Sequence, residues 1–187
     1  MNDQEHMRLN QLIRAGRFKD AELGAIALAD KDDCHAFVLL GAIYEGGGNG
    51  VDKNLDLALQ NYSKSVEMCG AVEGCLGVAR ILYQRATDPT DLARAFCLYK
   101  QVADVAGHDV ALIMLGKMHF LGEGTEQDLE KAETYVLLAL KAGNVHAFDL
   151  MSKIKREQGN AWLAFKWRVR GLIERTFFVG KYRARQI

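Results

Sequence analysis

A single proline, Pro89, stands against eighteen glycines in a chain of 187 residues. Proline lacks a backbone N–H and breaks helix interiors, so its scarcity leaves glycine as the main device for ending helices. That balance leans towards an all-α fold. No apolar run approaches the roughly 20 residues that a bilayer span requires. The opening Met1-Asn2-Asp3-Gln4-Glu5-His6 lacks the basic and apolar regions of a secretory leader. A cytoplasmic protein with no transmembrane segment is the expectation. The four cysteines, Cys34, Cys69, Cys75 and Cys97, form no Cys-x-x-Cys pair, and only Cys69 and Cys75 are near neighbours. They read as small buried hydrophobes, with all four thiols reduced and no metal bound.

Catalytic constellations are missing too. The run Gly46 to Gly50 is followed by Val51-Asp52, where a phosphate-binding loop needs Gly-Lys-Ser/Thr opening a helix. His6, His35, His108, His119 and His146 include no His-x-x-x-His pair and read as structural. No Ser, Cys or carboxylate pair shows catalytic spacing. The expectation is a protein that is not an enzyme and takes no cofactor.

What is present is a folding composition, 49% apolar and 26% charged, with a formal net charge of zero. The zero conceals an asymmetry. Residues 1–152 carry 14 Lys and Arg against 22 Asp and Glu, whereas residues 153–187 carry 10 against 2.

Residues 1–33 read as a helical hairpin jointed at Gly16, with Met7, Leu9, Leu12 and Ile13 in its first helix and Phe18, Ala21, Leu23, Ile26 and Leu28 in its second. From residue 34 a longer unit recurs. The pattern Ala-x-x-x-Leu-Gly starts at Ala36, Val72, Ala111 and Ala147, and its Gly is Gly41, Gly77 and Gly116, with Ser152 in the fourth copy. Each second helix opens at a cap residue, Asn54, Asp91, Asp128 or Asn160, and four residues later stands Ala58, Ala95, Ala132 or Ala164. Gly41 against Ala58 suits close helix approach. A period of this length marks stacked helix pairs that bury their apolar faces on one another. The expected fold is an all-α, right-handed α-α solenoid of about five antiparallel helix pairs, with repeats at 36–71, 72–110, 111–146 and 147–175 and a basic aromatic tail at 176–187.

These residues resemble the Sel1-like repeat, a relative of the tetratricopeptide repeat. Its pattern is Ala-x-x-x-Leu-Gly-x-x-Tyr, then Gly-x-Gly-Val-x-x-Asp-x-x-Lys-Ala, then Tyr-x-Lys-Ala-Ala and a closing Gly. The third copy keeps most of it, with His119 for the first Tyr and Thr125 for Val, and the first keeps Tyr44, Val51, Ala58, Tyr62, Lys64 and Gly70. The second copy loses the glycine loop and keeps Arg94-Ala95, Tyr99 and Gly107, while the fourth matches only at Ala147, Asn160 and Ala164. Residues 1–33 are closer to a tetratricopeptide hairpin. The resemblance implies a protein-binding adaptor or chaperone-like scaffold without a cofactor.

By register with tetratricopeptide contacts, the inward wall of first helices would carry Val38, Ala42 and Glu45; Gly74 and Val78; Ile113, Lys117 and Phe120; then Asp149, Lys153 and Arg156. That groove, apolar in the middle and basic at its end, suits a peptide or protein with hydrophobic anchors and acidic flanks. The last helix is expected to turn Trp162, Phe165, Val169 and Leu172 onto the final hydrophobic layer. Phe177, Phe178 and Tyr182 then remain to dock a partner or fold back. The second reading is a basic end that meets nucleic acid or an anionic membrane, and self-association through that end is a further outcome.

Overall fold

The computed structural model describes residues 2–183, with side chains described over residues 3–176. Ten helices follow one another among the described residues: α1 (Asn2–Arg14), α2 (Phe18–Ala29), α3 (Cys34–Gly46), α4 (Leu55–Cys69), α5 (Val72–Arg85), α6 (Pro89–Ala106), α7 (Asp109–Leu121), α8 (Leu129–Lys141), α9 (Ala147–Glu157) and α10 (Ala161–Arg183). No strand occurs among the described residues; an isolated antiparallel bridge joins Gly48 and Val51. The chain is an all-α helical repeat. It divides into two compact units, residues 1–87 with α1–α5 and residues 88–187 with α6–α10. The division falls within the second expected repeat, whose link lacks the glycine loop.

In the first unit, Gly16 turns the α1–α2 joint with a φ of 73°, a left-handed value that suits glycine. The packed face of α2 is Ala21, Glu22, Ala25 and Leu28. Leu23, Ile26 and, on α1, Met7 are exposed instead, because residues 21, 25 and 28 share one helical stripe and 23 and 26 lie off it. Glu22 is buried because the Lys19 ammonium and the Tyr44 hydroxyl both donate to its carboxylate, at 2.8 and 2.9 Å.

The small residues of the repeat do their work around one ring. A Cβ on Gly41 would lie 2.6 Å from Tyr62 ring atoms, and one on Gly77 would lie 2.5 Å from the ring's other edge. Tyr62 of α4 therefore sits between α3 and α5, so Gly41 admits Tyr62 rather than simply facing Ala58. The Tyr62 hydroxyl donates to Glu45 at 2.9 Å, and Arg80 holds both Glu45 oxygens at 2.5 Å. Burial pushes the Glu45 carboxyl up, but the Arg80 hydrogen bonds and charge outweigh it, and the group lies below its ordinary value.

The expectation of four reduced thiols fails here. Cys34 opens α3 and Cys69 closes α4, and the two are joined in a disulfide with Cα atoms 6.3 Å apart. Antiparallel packing of α3 on α4 brings one helix's start beside the other's end, which spacing along the chain does not reveal. Cys75 is a buried free thiol and Cys97 an exposed one.

In the second unit, α6 starts earlier than expected. Pro89 occupies its first turn, where the missing N–H costs nothing, and the Asp88 carboxylate accepts from Thr90 and Asp91 N–H groups. The cap is therefore Asp88, not Asp91. Asp128 caps α8 as expected, accepting from Glu130 and Lys131 N–H groups. A Cβ on Gly116 would meet Val136 at 2.7 Å and the Ala132 carbonyl oxygen at 3.3 Å. In the last pair, Ser152 donates to the Ala164 carbonyl at 2.8 Å.

The last helix is rolled relative to the expected face. Ala164 and Gly171 are buried, and Trp167 packs on Phe148 with ring centroids 5.9 Å apart. Trp162, Phe165 and Leu172 are 66%, 58% and 64% exposed, with Val169 and Ile173 beside them also open. Those residues do not cover the last hydrophobic layer. The backbone of α10 runs through Arg183, so most of the expected tail is helical; the side chains of Phe177, Phe178 and Tyr182 lie outside the described residues.

Candidate peptide-binding groove

In the second unit, α7 and α9 are the first helices of successive pairs and they touch. Between them lies a hollow of about 250 Å³. Five of the residues expected on the inward wall line it: Ile113, Lys117, Phe120, Asp149 and Lys153. Helical spacing explains this, because 113, 117 and 120 fall on one stripe of α7, and 149 and 153 on one stripe of α9. Met114, Leu121 and Leu150, which the register did not select, complete the apolar lining. Ile113, Phe120 and Leu150 are partly buried against the core of this unit, so the apolar floor is held in place from beneath.

The hollow continues into a polar one of about 300 Å³ that shares Asp149 and Lys153 and adds Ser152, Arg156 and Arg168. Not all of the basic end is open to a partner. Lys155 is paired with Glu133 at 2.5 Å, and Arg175 with Asp149 at 2.7 Å. Lys166 lies over the Trp162 ring, and Arg170 over the rings of Phe148 and Trp167. Lys153, Arg156 and Arg168 make no ion pair among the described residues, and they share one wall.

The first unit treats its expected wall residues differently. Val38 is half-buried, Val78 is buried at 8% exposure, and the Glu45 carboxylate is taken up by Arg80 and Tyr62. Gly74 is there for packing, since a Cβ would lie on the Ser65 hydroxyl. These residues serve contacts inside the unit. The exposed stripe of α10 was missed because its aromatics read as core.

The Sel1 repeat model matches residues 38–68 and 109–144, which are the first and third copies of the repeat. No curated protein matches the sequence. Among solved structures, a Sel1 repeat protein from Oxalobacter formigenes aligns over 91% of this chain and 68% of its own length, at 20% identity and a TM-score of 0.73. A protective antigen of uropathogenic Escherichia coli strains with an SLR fold aligns over 86% of this chain at 22% identity and a TM-score of 0.69; this chain spans only 37% of it. MamA aligns over 92% of this chain and 96% of its own, at 16% identity and a TM-score of 0.67. The chain thus carries Sel1 repeats at residues 38–68 and 109–144 and shares a helical-repeat fold with these structures.

Proposed function

We propose that this chain is a non-catalytic interaction module, an adaptor or chaperone-like scaffold, that takes a protein or peptide in the hollow between α7 and α9. Sel1 repeat folds generally mediate protein–protein interaction. The observation that carries the finer reading is the joining of an apolar floor, Ile113, Phe120 and Leu150, to a wall of Lys153, Arg156 and Arg168. An apolar side chain inserted on the floor would remove area from water, and acidic residues flanking it would meet the cations. Nucleic acid or an anionic membrane fits less well, because Lys155 and Arg175 are already paired with carboxylates and Lys166 and Arg170 lie over aromatic rings.

A peptide-display selection against the chain tests this. Enriched sequences should carry an apolar anchor flanked by Asp or Glu, and Phe120→Glu with Lys153→Glu should abolish their capture. Enrichment indifferent to both substitutions sinks the groove reading. Residence in the cytoplasm is the second part of the proposal, and there the Cys34–Cys69 pair would be reduced; the bridged pair fits an oxidising compartment instead. Thiol trapping in intact cells decides between them.

A further inference from the structure

We propose that Cys34, His35 and Cys69 form a binding site for one zinc ion, open to it when the Cys34–Cys69 bridge is reduced. The site lies in the first unit and does not depend on the groove. One ligand atom from each residue lies within 4.8 Å of the other two. The Cys34 sulfur and His35 Nδ1 are 3.5 Å apart. That is the edge of a tetrahedron built on zinc, with Zn–S of about 2.3 Å and Zn–N of about 2.0 Å. Two thiolates and an imidazole are a soft set that selects zinc over calcium or magnesium.

The backbone brings these donors together from two helix ends. Asp33 caps α3 by accepting from the His35 N–H at 3.0 Å, which orients the turn carrying both Cys34 and His35. Cys34 is the first residue of α3, where the positive end of the helix dipole favours a thiolate. Cys69 ends α4 immediately before Gly70, whose left-handed conformation stops the helix there. His6 adds an outer contact: its Nε2 lies 2.9 Å from Asp33 Oδ2, and its ring centroid is 5.8 Å from that of His35. Cys34 is half-buried while His35 and Cys69 are exposed, so a cation reaches the site from solvent. The described residues supply three such ligand atoms, and water takes the fourth position.

Bridge and zinc exclude each other because they use the same two sulfurs, which a tetrahedral site needs about 3.8 Å apart. A dithiol reductant supplies two electrons and two protons; the S–S bond breaks, two thiols form, and the reductant leaves as its cyclic disulfide. Zinc then forms two Zn–S bonds and releases the two thiol protons.

The test uses the full chain with Cys75→Ser and Cys97→Ser, so that only the pair in question carries thiols, and Co(II) as the visible probe. After reduction and removal of the reductant under anaerobic conditions, one equivalent of Co(II) should give a sulfur-to-cobalt charge-transfer band of two-thiolate intensity, which Zn(II) then displaces. The oxidised chain should give no such band. Cys34→Ser and Cys69→Ser should abolish the two-thiolate band, with far-ultraviolet dichroism confirming that the helices persist. His35→Ala keeps both thiols on an exposed position and should weaken Co(II) binding by about tenfold or more. A reduced chain without the band, a band that survives Cys34→Ser, or affinity unchanged in His35→Ala overturns the proposal.

Discussion

At position 119 the repeat pattern asks for tyrosine and this chain has histidine. The side chain is 5% exposed, stacked on Tyr135 with centroids 5.6 Å apart and edge-on to Phe96 at 5.3 Å. Its Nδ1 is buried without a hydrogen-bond partner among the described residues. Burial lowers its pKa from the ordinary 6.5; the nearby Lys131 charge lowers it further, against the Glu126 backbone and Asp128, which raise it. A histidine with a lowered folded-state pKa takes up its proton more readily when unfolded. Its contribution to stability is therefore complete above 6.5 and lost as pH falls from there towards the folded value. His119→Tyr should remove that loss, so urea midpoints of the two chains should diverge progressively as pH falls below 6.5. Parallel midpoints would mean that His119 does not titrate on unfolding. Packing makes an equally local prediction at Gly77, where a methyl group would strike the Tyr62 ring. Gly77→Ala is expected to destabilise by about 1 to 3 kcal/mol in denaturant unfolding. The small residue was legible in the sequence; the ring it serves was not, because Tyr62 is on another helix.

Among the elements, the caps and the last helix show where sequence pattern decides and where it does not. A carboxylate or amide ahead of each second helix was readable at Asn54 and Asp128, and the structure has both accepting from first-turn N–H groups. At α6 the period put the cap at Asp91, and Asp88 takes it instead because Pro89 sits well in the first turn. Asp88→Ala should lower the thermal midpoint and Asp91→Ala should move it much less; the reverse order would place the cap where the period alone put it. In α10 apolar residues go all the way round, so periodicity alone supports two faces. Small residues settle the choice: Ala164 and Gly171 let α10 lie against α9, where a Cβ at 171 would come within 2.6 Å of the Phe148 Cβ. Gly171→Leu should therefore destabilise strongly, whereas Trp162→Ser should shift stability by no more than about 0.5 kcal/mol. Equal losses in denaturant unfolding would show that the expected face is packed after all. That Ile113, Lys117 and Phe120 line one hollow was legible for a related reason, since they repeat at a spacing only one helix face satisfies.

For the whole molecule, the repeat was legible because period, cap and small residue agree, whereas contacts made through the antiparallel pairing of helices were not. Cys34 and Cys69 are 35 residues apart, almost one repeat length, so they carry no local signature. Their disulfide lies wholly within residues 1–87 and staples the start of α3 to the end of α4. Closing a loop of that length restricts the unfolded chain, worth about 3 to 4 kcal/mol in the chain-entropy account. Repeat folds are stabilised by each repeat and its neighbours, so the loss should be graded along the chain rather than uniform. Reduction should therefore raise amide exchange first and most in α3 and α4, and least in α9 and α10. Cys34→Ser should reproduce the pattern without reductant. Equal deprotection of both units would show that the chain unfolds as one cooperative body, and unchanged exchange in α3 and α4 would show that the bridge adds no stability.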